Sequence, residues 1–142
     1  MRAVAPDRRP PVAAWGFAAL ALLPLLASWA GYRYGWGGPV LELGAIWGMA
    51  LLGLAAGMVA ASGSLRGLWG PAYLAVIAAM TPLPMVWTGT MTLPQALASA
   101  FVLILGLDLW AARAGLVPDW WPRLKLGFTV AAAALLLAPD LG

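Results

Sequence analysis

The chain has no cysteine and no histidine, and among its 142 residues only 8 are basic and 5 acidic. Without cysteine there can be no disulfide, no thiolate nucleophile and no Cys-ligated metal. Without histidine, the usual haem axial ligand, a principal zinc ligand and the side chain that titrates near neutral pH are also excluded. Charged residues make up 9% of the chain, against about 25% in an average soluble domain. No polar stretch is long enough to form a second domain.

What fills the chain is apolar side chain, at 63% of residues. Low hydrophobicity is the signature of disorder, so disorder is excluded, and a soluble chain this short could not hide so much apolar surface in one core. A membrane span needs about 20 mostly apolar residues, because the hydrocarbon core is about 30 Å thick and a helix rises about 1.5 Å per residue. Five stretches meet that condition, approximately 12–31, 39–61, 69–88, 94–114 and 123–139. The expected fold is therefore an all-α integral membrane protein, a single bundle of five transmembrane helices over residues 1–142. Arg-rich Met1–Pro11 followed by Val12–Ala27 has the form of a signal peptide, with Ser28-Trp29-Ala30 as its cleavage site. We read this segment as a retained first span.

Charge placement predicts orientation. Arg2, Arg8 and Arg9 in the tail, Arg66 in the second loop, and Arg113, Arg123 and Lys125 around the fourth fall on one side; Arg33 stands alone on the other. The positive-inside rule then puts the N-terminus in the cytoplasm and the C-terminus outside. The net charge of +3 therefore points to topology rather than to nucleic acid. Trp15, Trp69, Trp110, Trp120 and Trp121 fall near the inner interface, and Trp29, Tyr32, Tyr34, Trp36 and Trp87 near the outer one. Aromatic belts at both interfaces account for these; Trp47, well inside the second span, is the exception. An Arg-to-Lys ratio of seven to one, with abundant Ala and Gly, points to a GC-rich bacterial gene and hence to the cytoplasmic (inner) membrane.

Glycine spacing marks helix packing. The second span carries Gly44-x-x-x-Gly48 and Gly53-x-x-x-Gly57, two pairs on nearly opposite faces at about 100° per residue. Small residues let helices approach closely in lipid, so this span is expected to be sandwiched at the centre of the bundle. Pro82 and Pro84 should kink or break the third span, and Pro24 should bend the first more mildly.

Charges within spans are the default place to look for function. Glu42 is expected to cap the second span, with Arg33 as a partner. Asp108 lies deeper, and a carboxylate there persists only if paired, hydrogen-bonded or neutralised. Arg123 or Lys125 is its expected partner, with Arg113 next, pinning the fourth and fifth spans together. Gly115 is read as a helix C-cap and Asp119 as the N-cap of the last helix.

The segment Leu107-Asp108-Leu109-Trp110-Ala111-Ala112-Arg113-Ala114-Gly115-Leu116-Val117-Pro118, continued by Trp120-Trp121, Arg123-Leu124-Lys125-Leu126 and Thr129, resembles the last third of a family of small bacterial membrane proteins. That family includes the mitochondrial transmembrane protein 69. Its pattern is an Asp ending span four, a Gly-Leu-x-Pro-x-Trp turn, Arg-Leu-Arg, and a Thr entering span five. Where the family tends to show Gly-Gly-x-His-Trp-Gly, this chain has Leu43-Gly44-Ala45-Ile46-Trp47-Gly48, so no histidine role carries over. The resemblance implies a five-span membrane protein and no assigned biochemistry.

Three functions compete. The leading expectation is a non-catalytic accessory or assembly subunit of a larger bioenergetic membrane complex, with membrane lipid and other integral subunits as partners and no cofactor. The alternative is a small proton- or solute-coupled transporter using Asp108 and the Pro82/Pro84 break. An intramembrane enzyme would need paired carboxylates or a base–nucleophile arrangement, and the sequence offers neither. Quinone or lipid binding in the aromatic grooves stays open.

Overall fold

In the computed structural model, residues 9–141 are described, Leu141 by its backbone alone. Met1, Arg2, Arg8 and Gly142, which carry part of the orientation argument, lie outside the described residues. The helices are α1 (Val12–Arg33), α2 (Gly38–Ser64), α3 (Trp69–Met80), α4 (Pro82–Trp87), α5 (Leu93–Arg113) and α6 (Trp121–Leu137), followed by a 3-10 turn, Ala138–Leu141. With α3 and α4 read together, and α6 with the 3-10 turn as far as Asp140, five helical segments among the described residues are long and apolar enough to cross a membrane. Their starts at Val12 and Trp69 coincide with the sequence reading and their other ends differ from it by one to three residues, since hydropathy and the hydrogen-bond ladder stop at different places.

One turn chemistry is used four times. The N–H groups of Trp36, Leu68, Thr90 and Leu116 donate to the carbonyls of Gly31, Gly63, Met85 and Ala111 at 2.8–3.1 Å. In each case the preceding residue is a glycine with φ between 70° and 85°. This 6→1 pairing is the Schellman motif, which satisfies carbonyls at a helix end and reverses the chain. Gly115 shows why glycine is needed, since φ of 70° costs an L-residue with a Cβ about 1–2 kcal/mol. The structure places Gly115 one residue beyond the C-cap, Ala114.

The core sits between α2 and α5. On α5, Leu97, Phe101, Ile104, Asp108 and Ala111 fall on one stripe at helical spacing and are almost fully buried. On α2 the matching stripe is Gly44, Ala45, Gly48, Leu51, Leu52, Ala55, Ala56 and Val59. Helix α2 packs against α1, α3, α5 and α6, and α5 against α2, α3, α4 and α6. The centre is thus shared by two helices rather than held by α2 alone.

The two glycine pairs have different fates. A Cβ on Gly44 would lie 2.8 Å from Ser28 Cβ, and one on Gly48 would lie 3.3 Å from side-chain carbons of Leu97 and Leu136. These two glycines are where α2 meets α1, α5 and α6. Gly53 and Gly57 are exposed, and a Cβ on either would meet nothing within 4 Å. The expectation that both pairs pack within the bundle is corrected. Leu51, Leu52, Ala55, Ala56 and Val59 carry the contact in that half of α2, which turns the second pair outward.

Proline effects are absorbed locally. Pro82 removes the donor that Ala78 O would receive in a continuous helix. Thr81 Oγ1 donates to that oxygen at 2.7 Å, and Thr81 keeps helical dihedrals (φ −58°, ψ −31°). The result is a kink between α3 and α4, not an unwound segment. Near Pro24, α1 continues unbroken, and the indole N–H of Trp47 donates to Ala21 O at 2.8 Å. That bond gives the out-of-belt tryptophan its place. The turn after α4 is closed by Thr88 and Thr90, and α5 opens with a capping box between Thr92 and Gln95.

The outside is apolar. Leu20, Tyr73, Ile77, Val102 and Val130 are each more than half exposed, around α1, α3, α5 and α6. Apolar exposure of this breadth suits a helix surface facing hydrocarbon rather than water.

Candidate functional site

Helix periodicity on α6 builds the site. Trp121 and Lys125 are four residues apart, and Phe128 and Thr129 follow one turn later, so all four share a face. That face turns toward the last turns of α5, where Asp108 points inward. Asp108 is 1% exposed and the Lys125 side chain 5% exposed. Lys125 Nζ lies 3.3 Å from Asp108 Oδ2, and the indole N–H of Trp121 donates to Oδ1 at 2.9 Å. Each carboxylate oxygen therefore faces one group from α6.

Two aromatic faces complete the ammonium's surroundings. Lys125 Nζ is 5.9 Å from the centre of the Trp121 ring and 5.6 Å from that of Phe128. Cation–π attraction is strongest where water is excluded, as here. Phe128 is held edge-on by Phe101 of α5 at 6.2 Å, and Trp121 tilts against Trp120 at 5.8 Å. The cluster is a neutral ion pair in an aromatic and alanine-rich wall, joining α5 to α6.

A positive side chain also ties the loops at this end. Arg66 Nη1 donates to Gly115 O at 3.1 Å, linking the end of α2 to the end of α5. It meets a carbonyl left free at the negative pole of α5.

The other expected residues fall elsewhere. Arg113 and Arg123 are exposed and do not pair with Asp108; Arg113 lines a surface recess with Asp119. The charge group of four thus narrows to Asp108 and Lys125, because the turn after Gly115 rotates α6 so that Lys125, not Arg123, faces α5. Glu42 is exposed, lies beyond the first turn of α2 and forms no cap; the N-cap is Gly37. Helix α2 begins at Gly38, ahead of the sequence estimate, which carries Glu42 past the free N–H groups. Asp119 does not cap α6 either, since the N-cap is Trp120 and no side chain bonds there.

Trp15, Trp69, Trp110, Trp120 and Trp121 lie toward the end of the bundle where α1 begins, and Trp29, Trp36 and Trp87 toward the other. Three do more than mark a level. Trp121 holds Asp108, Trp36 folds over Gly31, and Trp15 lies over Gly127 of α6. The Trp121–Lys125 spacing was visible in the sequence; nothing there indicated that the indole would bond Asp108.

The chain matches no known family model, no curated protein and no solved structure. What the site can do follows from its own geometry. It can lock two helices together.

Proposed function

We propose that this chain is a non-catalytic accessory or assembly subunit of the bacterial cytoplasmic membrane, packing against a larger bioenergetic complex, with its N-terminus in the cytoplasm. The observation that carries the reading is the Asp108–Lys125 pair, 3.3 Å apart and enclosed by side chains of its own bundle. Charges meant to move protons or solutes need a wet path, whereas charges meant to fix helices need a dry partner. The carbonyl that Pro82 frees is met by Thr81, which supports a structural kink rather than a transport site. Helix α2 also leaves Gly53 and Gly57 outward, a small-residue face where a foreign helix could approach closely.

The test is gentle detergent extraction from the source membrane with a small tag on the chain, followed by native mass spectrometry. The expected result is a defined stoichiometric assembly with other integral membrane proteins. Isolation as a free monomer, together with Asp108-dependent proton flux in liposomes, would replace this reading with the transporter alternative.

A further inference from the structure

The turn between α5 and α6 carries a second arrangement of charges, open where the Asp108–Lys125 pair is buried. Arg113 is the last residue of α5, and Asp119 stands just ahead of Trp120, the N-cap of α6. Each charge sits at the helix pole that favours it, a cation at the negative end of α5 and a carboxylate at the positive end of α6. Both are exposed, and both line one recess of about 410 Å³ whose apolar part is Leu109, Ala112 and Pro122. Among the described residues, neither side chain forms an ion pair or a hydrogen bond. The recess therefore presents a guanidinium with unspent N–H donors and a carboxylate with unspent lone pairs, side by side but not joined.

Below Arg113 the surface of α5 is apolar along one line. Leu109, Gly106 and Val102 precede Arg113 by four, seven and eleven residues, so all lie on one face of the helix. All three are exposed, and a Cβ on Gly106 would meet nothing within 4 Å, which leaves a shallow dip between the two larger side chains. From Val102 to Arg113 the line runs about 16 Å at about 1.5 Å per residue, close to half of a hydrocarbon core about 30 Å thick. A charged recess thus stands at the top of an apolar track one leaflet long.

The two charges select the head. A phosphodiester suits Arg113, whose planar fork takes two oxygens at once. Asp119, in the same recess, repels a head of net negative charge and accepts from a cation that carries N–H groups. An ethanolamine phosphodiester brings both groups, two carbons apart. A glycerol head satisfies Arg113 alone, and a choline head brings a cation with no N–H to donate.

We propose that this recess binds the zwitterionic head of an ethanolamine phospholipid, its phosphate on Arg113 and its ammonium on Asp119, with an acyl chain along Leu109, Gly106 and Val102. The proposal rests on the bundle spanning a membrane, and on neither the accessory role nor the orientation. A chain that is held in the membrane but fails the ranking below loses this proposal alone.

The purified full chain in dodecyl maltoside is titrated with phosphatidylethanolamine, phosphatidylcholine and phosphatidylglycerol of identical acyl chains, and bound lipid is counted by native mass spectrometry. The expected result is one saturable site for phosphatidylethanolamine, at least five-fold tighter than for either of the others. Arg113→Gln should weaken all three lipids at that site. Asp119→Asn should lower phosphatidylethanolamine to the level of phosphatidylcholine while leaving phosphatidylglycerol as tight or tighter, a change of ranking that a loss of fold would not produce. Circular dichroism verifies that each variant is folded. Absence of a saturable site, phosphatidylglycerol or phosphatidylcholine binding as tightly as phosphatidylethanolamine, or an unchanged ranking in folded Asp119→Asn would overturn the proposal. If a variant fails to fold, the wild-type ranking decides.

Discussion

Removing one member of the Asp108–Lys125 pair should be worse than removing both charges. Lys125→Met leaves Asp108, 1% exposed, with Trp121 on Oδ1 and no cation at Oδ2. Breaking a buried pair on one side costs about 3–5 kcal/mol, because an uncompensated charge stays in a medium that cannot solvate it. Asp108→Asn retains an amide oxygen for the Trp121 indole but strands the ammonium, so it should fall in the same class, eased by whatever the two aromatic faces return. The double variant Asp108→Asn with Lys125→Met removes both charges and keeps the indole's acceptor. Replacing a buried pair by neutral groups of similar volume is often neutral or stabilising by about 1–4 kcal/mol, so the double variant should recover most of the single losses. The assay is reversible unfolding in mixed micelles with increasing SDS, read by tryptophan fluorescence for all four proteins of the cycle. With single losses of about 3 kcal/mol and the double recovering most of them, a coupling free energy of at least about 3 kcal/mol is expected, at the upper end of the range that contacting residues show. Single variants within about 0.5 kcal/mol of wild type, or a double variant as unstable as the sum of the singles, would refute the reasoning.

Three further outcomes follow from the packing. Gly48→Leu should destabilise by about 1–3 kcal/mol through overpacking against Leu97 and Leu136, whereas Gly53→Leu should stay within about 0.5 kcal/mol; the same SDS titration separates them. Thr81→Val keeps the side-chain shape but removes the donor to Ala78 O, and should cost about 1 kcal/mol, with Thr81→Ser restoring most of it. Reporter fusions at Gly67, Gly89 and Gly142 should read cytoplasmic, external and external; an internal C-terminus would break the proposed orientation.

The helices were legible in the order of the residues alone. A spanning helix satisfies its own backbone and its length is fixed by the thickness of hydrocarbon, so composition in a 20-residue window is nearly sufficient to find it. One turn glycine was legible to within a residue for a similar reason: Gly115 acts through its own backbone, whatever its neighbours, and stands one residue beyond the C-cap, Ala114. Asp108 could be recognised as needing a partner, because the cost of a buried carboxylate is a property of the group and its depth.

Which partner it takes was decided in three dimensions. Arg113, Arg123 and Lys125 are all close in sequence, but only the rotation of α6 after the Gly115 turn brings Lys125 and Trp121 to the carboxylate. The glycine pairs make the same point. Gly44/Gly48 and Gly53/Gly57 have identical spacing, yet the first meets Ser28, Leu97 and Leu136 while the second meets no part of the bundle. Spacing fixes which residues share a helix face, and that is a local property. What the face touches depends on helices brought together from distant parts of the chain, and only the tertiary structure holds that information.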